Sequence, residues 1–177
     1  LWAGGQAYED GVLEDYAWAG LGLLALWDAT GEDRWRDRAA ELARAALALF
    51  ADGTGRLKMA AEDGPVGPVY DSADGATPAG ESAMLELLAR LDRRTAEPGF
   101  AAAAERLAGA LSGPLAEAPL LRPDALVAAR ILTSGESALR RALGKGAVRA
   151  RMAPAGTSLT LDIAPGWHVN ARAPGRD

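Results

Sequence analysis

A helix apolar on nearly every side, followed at once by a helix with one wet face, occurs twice in this sequence. Leu13 to Thr30 carries Tyr16, Leu21, Leu23, Leu24, Leu26 and Trp27, which leave little polar face between them. Such a helix is expected to be buried on more than one side. Gly31 is placed to end it. Asp33 to Phe50 follows, with Trp35, Ala39, Leu42, Ala46 and Leu49 on one stripe and Arg34, Arg36, Asp37, Arg38, Glu41 and Arg44 filling the rest. That spacing predicts an amphipathic helix, and the short link predicts an antiparallel αα-hairpin. In the second round Thr77 is expected as the N-cap, with Pro78 at the first helical position. Ala79 to Leu91 is apolar over most of its surface through Ala83, Met84, Leu85, Leu87, Leu88 and Leu91. Phe100, Ala104, Leu107 and Leu111 then form a one-face stripe, with Glu105 and Arg106 outside it. Pro123 to Leu132 is expected to start a third hairpin. Between the hairpins, Ala51 to Gly80 is rich in Gly, Pro and Asp, and a loop of this length is expected to have a task or short strands of its own. "RLKMA" and "PVY" are the candidates for a brief β-ribbon.

An inner helix hidden on all sides and an outer helix half in water are what a toroid of αα-hairpins needs. The fold class expected is therefore all-α, a partial (α/α)6 toroid resembling the six-hairpin glycosidases, over residues 1–144. After Gly144 the pattern changes. Leu159, Leu161 and Ile163 alternate with Thr160 and Asp162, a strand period, and Pro165–Gly166 reads as a turn. Residues 145–177 are expected to begin a β domain, with the boundary near Gly144 to Ala147. A two-hairpin piece leaves inner faces uncovered, so a marginally stable, self-associating chain is expected. Leu1 in place of Met, and an end at "NARAPGRD" in mid-loop, lead us to expect a piece of a longer protein.

The 177 residues suffice for one domain with a core. Hydrophobic residues at 49% and charged residues at 24% are a globular composition. The net charge of -5 has no basic stripe within it, which argues against nucleic acid as a partner. There is no cysteine, so disulfides, thiolate metal sites and dithiol chemistry are excluded within this chain. That absence fits the cytoplasm, the compartment expected. No apolar run is long enough to span a bilayer, so no membrane segment is expected. The preference for Arg over Lys, with abundant Ala and Gly, fits a GC-rich bacterial genome.

"LEDYAWAGLGLLALWDATGEDRW" (Leu13 to Trp35) and "DSADGATPAGESA" (Asp71 to Ala83), with the spacing between them, resemble the C-terminal helical region of the thioredoxin-domain-containing protein family (spermatogenesis-associated protein 20-like). The resemblance covers Leu13 to Leu111. It implies an upstream thioredoxin-like domain as partner in the intact protein, followed by an (α/α)6 barrel similar to N-acylglucosamine 2-epimerases and six-hairpin glycosidases. The family reads Pro-Ser-Gly-Asn-Ser after Asp-Gly-Ala; here Ala79 replaces the first Ser and Glu81 replaces the Asn. The tail "IAPGWHVNA" (Ile163 to Ala171) is similar to the start of the N-terminal domain of the thiol–disulfide interchange reductases.

In an α/α toroid the loops leading into the inner helices gather at one mouth. Asp15, Asp74 and Glu81 are thus the candidate catalytic carboxylates, because paired carboxylates serve as acid and base, or acid and nucleophile, in glycoside chemistry. Glu14, Tyr16, Trp18, Tyr70 and Asp71 are candidate ligand-binding residues for a sugar-like ligand. The competing explanation is structural: acidic residues at helix N-termini cap free N–H groups and favour the macrodipole, and aromatic residues at helical spacing fill cores. Trp27 and Trp35 fit the core better. His168 is the sole histidine and is expected on a turn or the surface. Epimerases of the similar barrel use histidines for proton transfer, and the helical part has none. Ser72 and Ser82 have no partnered base. "GKG" (Gly144 to Gly146) lacks the rest of a phosphate loop. No cofactor or metal is expected. Two readings follow: a helical accessory or interaction module with redox chemistry outside this chain, or a carbohydrate-binding or carbohydrate-processing barrel fragment.

Overall fold

The structure, a computed structural model, describes residues 2–7, 11–71, 73–95, 97–135, 139–143, 148–152 and 158–170. The fold is mostly helical. Helices α1 (Leu13–Thr30) and α2 (Asp33–Phe50) form the first hairpin, α3 (Gly80–Asp92) and α4 (Pro98–Glu117) the second, and α5 (Pro123–Ser134) follows a short 3₁₀ turn at Pro119–Leu121. Strands β1 (Trp2–Ala3) and β2 (Gln6–Ala7) make a small ribbon. Strands β3 (Leu139–Leu143), β4 (Val148–Met152) and β5 (Leu159–Ile163) form an antiparallel sheet in that order.

Local signals set most of the helix ends. Gly31 takes the left-handed conformation at φ 73° and returns its N–H to the carbonyl of Trp27 at 2.8 Å, the turn that glycine makes without strain. Pro98 and Pro123 stand in the first turns of α4 and α5, where a missing N–H costs nothing. The start of α3 differs from expectation. Its N-cap is Ala79, with no side-chain cap of its own, and Thr77 and Pro78 lie before the helix. Acceptors from the preceding loop take over that role, as shown below.

The packing is two-layered. Helix α3 lies between α1 and α5, with α2 and α4 packed on the other side. Every residue of α3 except Glu86, Arg90 and Asp92 is buried, so this helix meets the expectation of burial all round. Helix α1 does not. Its buried residues are Leu13, Ala17, Gly20 and Leu24, on one stripe, while Trp18 (41% exposed) and Leu26 (44% exposed) face outward. The reason is positional: α3 is flanked by the helices α1 and α5, whereas α1 packs on α2 and α3 and otherwise meets only strand β3 among the described elements. In α2 the buried stripe is Ala39, Ala40, Ala43, Ala46 and Phe50. Ala39 and Ala46 of the expected stripe are buried, but the buried face is rotated away from its larger members; Leu49 is exposed and Trp35 and Leu42 are half-buried. Small alanines line most of the buried face of α2, which packs on α1 and α3. The stripe of α4 is as expected, with Phe100, Ala104, Leu107 and Leu111 all buried.

The close approach of α1 to α3 rests on Gly20. A Cβ at this position would run into the Cδ methyls of Leu87. Gly80 does the same at the helix start, where a Cβ would lie 3.2 Å from the backbone nitrogen of Glu14 and from Cγ of Leu13.

The long loop forms no strand among its described residues. It carries two isolated bridges, Ala51 to Leu57 and Gly64 to Gly67. The two segments expected as a ribbon do meet: the N–H of Met59 donates to the carbonyl of Val69 at 2.7 Å, and Met59 in turn accepts the N–H of Leu13 at 2.9 Å. The sheet of the tail starts at Leu139, ahead of the Gly144–Ala147 boundary expected from sequence. Leu159–Ile163 is a strand, Gly166 has φ 82° in the turn after it, and His168 is exposed. Ser72, Gly144 to Gly146, Ala147 and the end of the tail from Ala171 lie outside the described residues.

Candidate functional site: the mouth at the helix N-termini

The N-termini of α1, α3 and α5 come together at one end of the molecule. Gly80 of α3 abuts Leu13 and Glu14 of α1, and one loop carboxylate, Asp74, touches the starts of both α3 and α5. This end gathers Asp15, Asp71, Asp74 and Glu81. Each of the four has a backbone amide as a partner.

Asp15 accepts the N–H of Val12 through Oδ2 at 3.0 Å, half of a capping box whose other member, Val12, has no hydroxyl. Asp71 accepts the N–H of Gly80 through Oδ2 at 2.9 Å. Asp74 divides its carboxylate: Oδ1 accepts the N–H of Ala79 and Oδ2 that of Asp124, both at 2.9 Å. Helix N-termini present unpaired N–H groups and a partial positive charge, and these carboxylates answer both.

Glu81 lies in the first turn of α3 and is fully buried. Its Oε1 accepts Nε of Arg56 at 2.7 Å and the N–H of Leu57 at 3.0 Å, while Oε2 accepts Nη2 of Arg56. This is a bidentate pair, the geometry in which a guanidinium binds a carboxylate best. The hydrogen bond and charge of Glu81 raise the Arg56 guanidinium above its ordinary value, against the opposing effect of burial. Arg56 continues the network outward. Its guanidinium sits 4.6 Å from the ring centre of Tyr70, whose hydroxyl donates to Asp52. Burial works against the charge on Asp52, but hydrogen bonds from the Tyr70 hydroxyl and from the Thr54 side chain and amide outweigh it and hold the carboxyl below the usual aspartate value. The same bond to Asp52, helped by burial, pushes the Tyr70 hydroxyl up.

Asp124 is raised by burial first, then by the charges of Asp74 and Glu86. Arg122, 4% exposed, donates Nη2 to the carbonyl of Asp71 at 3.0 Å.

The other sequence-derived candidates separate. Glu14 is exposed. Tyr16 is half-buried and meets Phe50 edge-on, ring centres 5.4 Å apart. Trp18 lies one turn after Glu14 and Asp15 on the open face of α1. Trp27 is half-buried, with Nε1 donating to Asp33 at 3.1 Å; Trp35, also half-buried, has the Arg34 guanidinium 4.3 Å from its ring centre. Ser82 is buried in α3, with no partner for its hydroxyl among the described residues. Sequence reasoning missed Arg56, Asp52, Arg122 and Asp124. The only local signal for Arg56 was a cation set among glycines in "GTGRLK"; its partner Glu81 is 25 residues away in sequence.

Among the described residues, no group of three or more acidic or histidine side chains is placed to hold a metal ion. No helix among them is long and apolar enough to cross a membrane. No protein-family model and no curated protein matches this sequence.

Proposed function

We propose that this chain is a helical interaction module, a segment of an (α/α) toroid belonging to a thioredoxin-domain-containing protein, with redox chemistry carried outside residues 1–177. One observation carries this reading. The carboxylates gathered at the mouth are structural acceptors: Asp71 and Asp74 hold amides of α3 and α5, Asp15 holds Val12, and Glu81 is buried against Arg56. A general acid or base needs an oxygen within reach of a substrate proton, and Glu81 has neither exposure nor an uncommitted oxygen. The two-layer order, with α3 between α1 and α5, supports the toroid.

The second reading, a carbohydrate-binding barrel fragment, is favoured by the open face of α1, where Glu14, Asp15 and Trp18 stand within one turn of each other. An exposed indole beside carboxylates suits stacking on a sugar ring.

Thermal unfolding of the chain across a panel of mono- and oligosaccharides at millimolar concentration separates the two. The module reading expects no stabilisation by any sugar. Stabilisation by one sugar, lost in Trp18→Ala with the fold retained, would replace it with the carbohydrate reading. Hydrogen exchange on the uninterrupted reading frame from the source genome supplies the positive test. Amides around Trp18 and Leu26 should be more protected there than in residues 1–177 alone.

A further inference from the structure

We draw no further inference here: the strongest candidate, the exposed apolar face of helix α1 around Trp18, Gly22 and Leu26, carries nothing because nothing in the structure shows what covers it.

Discussion

Oδ2 of Asp74 accepts the N–H of Asp124 at 2.9 Å, so a residue of the loop before α3 closes the first turn of a helix 50 positions further along the chain. Its other oxygen caps α3. A single carboxylate therefore ties the starts of α3 and α5 together. Each cap is worth about 1 kcal/mol. Asp74→Ala should lower stability by about 2 kcal/mol, and Asp74→Asn, which keeps one acceptor oxygen, by about half that. Urea denaturation of the three proteins checks this; equal midpoints would remove Asp74 from the account of how α3 and α5 are held.

The Glu81–Arg56 pair ties the loop to the core of the fold. Breaking a buried pair from one side leaves an uncompensated charge and typically costs about 3–5 kcal/mol. Arg56→Met leaves Glu81, which is fully buried, without its cation, and should lose about 3–5 kcal/mol. The double variant Arg56→Met with Glu81→Leu should recover much of the loss, since it removes both charges together. If the double variant were no more stable than Arg56→Met, the buried charge would not be the cause.

The Asp52–Tyr70 contact gives the loop a dependence on pH at both extremes. The carboxyl of Asp52 is lowered in the folded chain, so its contribution is present above the unfolded value near pH ~4 and fades as pH falls through the folded one. The hydroxyl of Tyr70 is raised, so its contribution is present below about pH 10 and is lost as pH rises through the folded value. Tyr70→Phe removes the hydroxyl that links them. Its melting temperature should fall below that of the parent at neutral pH, and the gap should narrow at pH 3. A gap that stays constant down to pH 3 would count against the hydrogen bond as its source.

Asp124 behaves in the opposite sense. Its carboxyl is raised by burial and by Asp74 and Glu86, so the folded chain holds the proton more tightly than the unfolded one. Ionised Asp124 then opposes folding above the unfolded value near pH ~4, and the opposition vanishes in acid. Asp124→Asn should be at least as stable as the parent at pH 7 and show no gain at pH 3. Melting curves at the two pH values read this directly, and a loss at pH 7 would mean that the charge serves the N-terminus of α5.

Leu87 of α3 and Trp18 of α1 test a buried and an exposed position. Leu87 is fully buried and fills the space that Gly20 leaves open. Leu87→Ala should cost about 2–5 kcal/mol. Trp18→Gln, on the open face of α1, should change stability by no more than about 0.5 kcal/mol and should reduce binding of an apolar dye. A large loss on Trp18→Gln would show that the face is covered.

The sequence by itself determined the helices and much of where they stop. The apolar periodicity of 13–30 and 33–50 places α1 and α2, Gly31 ends the first, and Pro98 and Pro123 open α4 and α5. These are effects of a residue on the backbone within one turn of itself, and so they are written locally. The alternation of Leu159, Leu161 and Ile163 gave β5 for the same reason. Tertiary structure decided what each helix faces. Helices α1 and α3 are both apolar nearly all round, yet nearly all of α3 is buried and only one stripe of α1 is, because burial depends on neighbours brought from elsewhere in the chain. The same holds for the acids. Asp71, Asp74 and Glu81 were legible as carboxylates at a helix start, but their partners Gly80, Asp124 and Arg56 are 9 to 50 residues away. A carboxylate does the work of a cap or of a catalyst according to what stands within 3 Å of its oxygens, and only the folded chain supplies that.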